Sequence, residues 1–150
     1  MGNHMGFMQL AINEARKALD IGEIPVGAVI VQDGKVIAAC HNLRETEGDP
    51  TAHAEVLAIR KAAAALGRRR LNGCTLYVTL EPCPMCAGAI LLSQLDACVF
   101  GASDPAQGCC GSVYDLIQDP AFTHRVNGIG GVMEQEAQEL LHTFFAGKRG

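Results

Sequence analysis

Two short passages carry the residue types able to do chemistry: Pro50-Thr51-Ala52-His53-Ala54-Glu55 and Glu81-Pro82-Cys83-Pro84-Met85-Cys86. They supply one imidazole, two thiols and a carboxylate. Cys83 and Cys86 stand three apart, so on the first turn of a helix their sulfurs share a side. Pro84 suits that helix start, where its missing N–H would be unpaired anyway, and the positive end of the helix dipole favours a thiolate. His53 and Glu55 are two apart, but side chains near a helix N-terminus lean back toward that end, so both can reach one point ahead of it. The spacing predicts a second helix opening near Asp49 or Thr51, with Pro50 in its first turn. Two helix N-termini should therefore face each other.

One imidazole and two thiolates make a nitrogen-plus-sulfur donor set that suits zinc. Three protein ligands, His53, Cys83 and Cys86, leave a coordination position for water, whose pKa zinc lowers from about 15.7 toward about 7. Glu55 is then free to move protons. The competing reading is a closed structural site that takes a fourth ligand from another of the seven cysteines.

His53-Ala54-Glu55 with Pro82-Cys83-Pro84-Met85-Cys86 resembles the zinc deaminase signature. The similarity extends through Ile24-Pro25-Val26-Gly27-Ala28-Val29, His41-Asn42, Thr75 to Glu81, Cys86-Ala87-Gly88-Ala89, Val99-Phe100-Gly101-Ala102 and Phe144-Phe145. These stretches look like those of the bacterial tRNA-specific adenosine deaminases, and the resemblance runs from about Leu10 to Phe145. The resemblance implies one zinc ion per subunit, Glu55 as proton shuttle, a tRNA anticodon loop as substrate and a homodimer. It implies that Asn42 orients the bound nucleoside, that Val26 and Ala54 pack against the base, and that Asp104 lies beside the substrate. By periodicity Phe144-Phe145 reads as a core pair, but adjacent helical residues diverge by about 100°, which leaves one ring, taken as Phe145, to stack on a nucleotide; Arg149 is taken as a further substrate contact. Many relatives carry lysine where Ala106 stands and asparagine where Thr123 stands, and often a longer basic tail than Lys148-Arg149-Gly150.

The chain's 150 residues suit one domain spanning 1–150, large enough to bury a core without disulfide staples. Its apolar share is 49%. No apolar run approaches the roughly 20 residues of a membrane span, and Met1-Gly2-Asn3-His4-Met5 lacks the apolar centre of a signal peptide. Met1 to Met5 reads as an appended leader and is set aside. Seven cysteines, two of them assigned to metal, fit a reducing cytoplasm. The net charge of −4 is not the basic footprint usual for RNA binding. Arg68-Arg69-Arg70 is the one basic run, read either as a solvated turn or as a nucleic-acid contact.

Helical spacing of Phe7, Leu10, Ala11, Ala15, Ala18 and Leu19 predicts a first helix ending at Gly22. Val26–Val31 and Val36–Cys40 flank Asp33-Gly34 as a hairpin, and His41–Pro50 reads as a loop. The His53 helix should reach Leu66, capped by Gly67. Cys74–Leu80 and Ala97–Ala102 are apolar strands. The helix after Cys83 is apolar nearly all round and needs burial on more than one side, for which a subunit interface is the natural partner. Ser112–Ile117 reads as a short helix, Val126–Val132 as a brief fifth strand and Glu134–Ala146 as a closing helix. Strands separated by helices indicate an α/β fold with an antiparallel N-terminal hairpin. This agrees with the three-layer α/β/α sandwich, with a mixed five-stranded sheet, that the resemblance implies.

His124 is not at ligand spacing and reads as structural or RNA-facing. Cys40, Cys74 and Cys98 read as small core residues. The expected function is hydrolysis of adenosine to inosine at the wobble position of a tRNA, by resemblance an arginine tRNA. The alternatives are a deaminase of free guanine or cytosine and a zinc-stabilised RNA-binding module.

Overall fold

The computed structural model describes residues 3–148; Arg149, expected to contact substrate, lies outside them. The elements in chain order are α1 (His4–Asp20), β1 (Gly27–Gln32), β2 (Lys35–His41), α2 (Arg44–Glu47), α3 (Ala54–Leu66), β3 (Cys74–Leu80), α4 (Pro84–Ser93), β4 (Ala97–Ala102), β5 (Asn127–Ile129) and α5 (Glu134–Lys148). The strands form one mixed sheet in the order β2-β1-β3-β4-β5. β1 runs antiparallel to β2 and β3, while β3, β4 and β5 are parallel. The β1–β2 turn places Asp33 and Gly34 at positive φ, 51° and 77°, the turn whose twist matches that of the strands it joins.

Successive side chains of a strand point to opposite faces, and here both faces are covered. Val29, Tyr77 and Val99 pack with Met8 and Ile12 of α1 and Ala137 of α5. Their neighbours Ile30, Leu76, Val78 and Phe100 pack with Ala54, Ala58 and Ala62 of α3 and Ile90 of α4. The result is the three-layer arrangement expected from the sequence. At the near end of α1, the His4 imidazole Nδ1 lies 2.7 Å from the Tyr77 hydroxyl, so residues set aside as a leader take part in the fold.

Four local expectations are corrected. α3 opens at Ala54, not near Asp49 or Thr51. The Asp49 carboxylate instead accepts from the Thr51 N–H and hydroxyl at 2.8 and 2.7 Å, which closes a turn around Pro50. The loop before it contains the one-turn α2. Ser112–Ile117 forms no helix, because Cys110 bridges Asp115 and the Ser112 N–H is drawn to a distant carboxylate. The fifth strand is only three residues long.

Candidate active site

His53 is the extended N-cap residue of α3, with φ −75° and ψ 149°; Cys83 is the extended N-cap of α4, with φ −75° and ψ 176° and Pro84 at the first helical position. Two helix N-termini thus face each other beside the carboxyl end of β3, each adding the positive end of its dipole. The ligand atoms of His53, Cys83 and Cys86 all lie within 4.8 Å of one another. His53 Nδ1 is 3.7 Å from Cys83 Sγ and 3.6 Å from Cys86 Sγ. Zn–S and Zn–N bonds of about 2.3 and 2.0 Å at tetrahedral angles put sulfur and nitrogen roughly 3.5 Å apart, so these spacings fit one zinc ion. No fourth protein ligand joins the group among the described residues.

The titration of the cluster follows from its contacts. The hydrogen bond from Cys86, aided by His53, brings Cys83 down to about 4 despite burial. Cys86, the donor and the more buried thiol, is pushed well up. The bond to Cys83 raises His53. Glu55, in the first turn of α3 and only 4% exposed, is pushed up to about 7 by burial above all and also by the Cys83 charge, while a backbone hydrogen bond and His53 act against them.

A cavity of about 450 Å³ opens onto this cluster, within the range that holds a small ligand. Of the residues expected to touch substrate, Val26, Asn42, Ala54, Asp104 and Phe145 all line it. Asn42 is buried and braces its own loop: its side-chain oxygen accepts from the Arg44 N–H at 3.2 Å and its amide donates to the Ile24 carbonyl at 3.4 Å. Asp104 closes a turn, accepting from the N–H groups of Ala106 and Gln107 at 3.0 and 3.2 Å. Phe145 is 48% exposed and meets Phe144 edge to face, with centroids 5.2 Å apart.

Several wall residues escaped the sequence reading: Ile24, Arg44, Glu81, Gln107 and Leu141 among them. Leu141 had a usable signal, since it precedes Phe145 by one helical turn. Glu81 had another, a charge at the end of an apolar strand run. It is 2% exposed and accepts from the N–H groups of Asp104, Cys110 and Ser112 at 2.9, 2.9 and 3.0 Å. Burial acts to raise its pKa, but these bonds and the Ser112 hydroxyl hold it below the ordinary carboxylate value.

Other candidates lie elsewhere. His124 Nε2 sits 3.3 Å from the Leu95 carbonyl oxygen. Arg68 is spent on its own turn, donating to the carbonyls of Arg70 and Asn72. All seven cysteines are free thiols, with Cys74 and Cys98 buried and Cys40 half-buried. No described helix is long and apolar enough to cross a membrane. On α4, Leu92 is 80% exposed and Met85 37%, so one face of that apolar helix has no cover among the described residues.

The family model of the cytidine and deoxycytidylate deaminase zinc-binding region matches residues 1–102. A Bacillus subtilis (strain 168) protein named tRNA-specific adenosine deaminase is 53% identical over 139 residues, covering 93% of this chain and 86% of the relative. A solved structure from a study of A-to-I editing by tRNA:A34 deaminases at the wobble position of transfer RNA is 45% identical. It superposes with a TM-score of 0.87 over 91% of this chain and 99% of its own. A guanine deaminase structure from Bacillus subtilis is 48% identical, with a TM-score of 0.65 over 67% of this chain and 65% of the other.

Proposed function

Because the chain belongs to the cytidine and deoxycytidylate deaminase family, we propose that it hydrolyses adenosine to inosine at the wobble position of a tRNA anticodon, that of an arginine tRNA. The observation that carries the chemistry is the buried Glu55 in the wall of the cavity that His53 and Cys83 also line, with Cys86 clustered behind them. The substrate rests on the tRNA-specific relatives, which match nearly the whole chain.

His53, Cys83 and Cys86 hold zinc, which supplies the Lewis acidity that makes a water nucleophilic near neutral pH. Glu55 accepts the proton that water gives up and delivers it to the purine ring nitrogen beside C6 as that carbon is attacked. It then carries the second proton to the departing amine, so adenosine and water become inosine and ammonia. Burial lifts Glu55 toward neutrality, where a carboxyl group can both take and give a proton. Val26 and Ala54 bound the base and Asn42 orients the nucleoside. Phe145 and Arg149 add contacts to the RNA. A loop nucleotide reaches such a pocket without the opening of a duplex. The whole chain acts as one deaminase domain in the cytoplasm, and a second copy covers the apolar face of α4 that bears Leu92.

The similarity to guanine deaminase favours a second reading, in which the substrate is a free base. Offering an anticodon stem-loop, free guanine, free cytosine and adenosine to the zinc-loaded protein separates the two. Inosine in the stem-loop is the expected result; turnover of a free base alone would overturn the tRNA assignment. Release of no ammonia from any of these substrates would leave only a zinc-stabilised RNA-binding module.

A further inference from the structure

Among the described residues, Arg44 is the only lysine or arginine that lines the cavity, whose acidic members are Glu55, Glu81 and Asp104. No hydrogen bond or ion pair ties its guanidinium to a described residue, and its Nε is buried with no partner. The acids around it are engaged elsewhere. Glu81 is spent on the Asp104–Ser112 segment and Asp104 on its own turn. Glu23, behind α2, accepts from the N–H groups of Glu45 and Thr46 and from the Thr46 hydroxyl. The backbone of Arg44 is fixed by its N–H bond to Asn42, so its side chain leaves the chain beside the residue that orients the nucleoside.

A guanidinium presents a planar fork of donors that matches a phosphate, and no described residue takes up the terminal nitrogens of Arg44. A chain of net charge −4 offers a polyanion a cavity with three carboxyl groups, and Arg44 is the one lysine or arginine among the described residues that line it. From this we infer that Arg44 is a phosphate-binding site at the rim of the cavity, which grips the backbone phosphate adjoining the nucleotide whose base enters. A free base has no such group, so Arg44 selects a nucleotide within a strand. The inference rests on the RNA reading above and sharpens it.

The test is the KM for inosine formation on an anticodon stem-loop, measured with the zinc-loaded full chain over a range of salt concentrations. Arg44→Gln should raise KM about tenfold and lower the slope of log(1/KM) against log salt by about one. Arg44→Lys should keep the slope and lose only part of the affinity. A parallel arm with adenosine 5′-monophosphate distinguishes a strand phosphate from a terminal one. An effect of Arg44→Gln on the mononucleotide alone would overturn the strand assignment. KM and slope equal to wild type, or a fall in kcat with the slope intact, would overturn the site. If the wild-type protein itself deaminates only free bases, the RNA reading fails and the inference falls with it. A normal wild-type control beside an indifferent Arg44→Gln defeats the inference alone.

Discussion

Glu81 and Gly108 pack so closely that a β-carbon on residue 108 would overlap the Glu81 carboxyl group and the Asp104 carbonyl oxygen. One buried carboxylate, on the turn between β3 and α4, thereby satisfies three backbone N–H groups and a hydroxyl of a segment with no regular structure. That segment brings Asp104 and Gln107 to the cavity wall. Glu81→Gln keeps the shape but replaces an acceptor oxygen with a donor that faces N–H groups, at a cost of about 2 kcal/mol. The expected outcome is a lower melting temperature and a kcat/KM on RNA reduced about tenfold, with a full zinc content by elemental analysis. Gly108→Ala should act in the same direction. Wild-type melting and kinetics in both variants would show that the carboxylate does not position the segment.

Glu55 belongs to no metal ligand set, so removing its carboxylate should separate chemistry from metal binding. Glu55→Gln is expected to lower kcat by about 10²–10⁴, the usual contribution of a positioned acid–base group, while each chain retains one zinc. His53→Ala and Cys83→Ser should instead lose the metal along with activity. The measurement is zinc stoichiometry beside single-turnover inosine formation. Substantial turnover by Glu55→Gln would require another proton shuttle.

Elements whose burial is set by local pattern are legible in the sequence. β3 and β4 fall at Cys74–Leu80 and Ala97–Ala102, where the apolar runs put them, because strands covered on both faces read as continuous hydrophobic stretches. The start of α3 is not legible. Asp49-Pro50-Thr51 has the composition of a helix opening, yet the Asp49 side chain closes a turn first and leaves His53 extended as the cap. Ser112 shows a different limit, since its partner Glu81 is 31 residues away and no local pattern encodes that bond. The cavity follows the same division. His53, Cys83 and Cys86 announce themselves by type and spacing within two short motifs. Arg44 and Gln107 come to the wall through tertiary packing of segments that read as loops.

Glu23 gives the fold an acid-sensitive support. It is 1% exposed; burial acts to raise its pKa, but bonds from the Thr46 hydroxyl and N–H, both at 2.6 Å, and from the Glu45 N–H at 3.2 Å bring it below the ordinary 4.5. A group whose folded pKa is depressed stabilises fully above its unfolded pKa and loses that contribution as pH falls through the folded value. Urea midpoints should therefore be steady near neutrality and fall below about pH 4.5. Glu23→Gln should lower the midpoint at pH 7 and reduce the further fall on acidification. Equal acid dependence in the two proteins would remove Glu23 from this role.

Phe144 and Phe145 are adjacent on α5, so their rings diverge by roughly 100° around the helix axis. Phe145 lines the cavity with Leu141 one turn before it, while Phe144 is half-buried with the Lys148 ammonium 5.3 Å from its ring centroid. An exposed ring at the edge of a base pocket is a stacking platform, and such stacking contributes about 1–3 kcal/mol per base. Phe145→Ala is expected to raise the stem-loop KM by roughly five- to 150-fold with kcat little changed. Phe145→Tyr should restore most of the affinity, because the π-face remains. Phe144→Ala should act mainly on thermal stability. If Phe145→Ala binds the stem-loop as wild type does, or if Phe144→Ala raises KM more, then the ring facing the RNA has been assigned to the wrong residue.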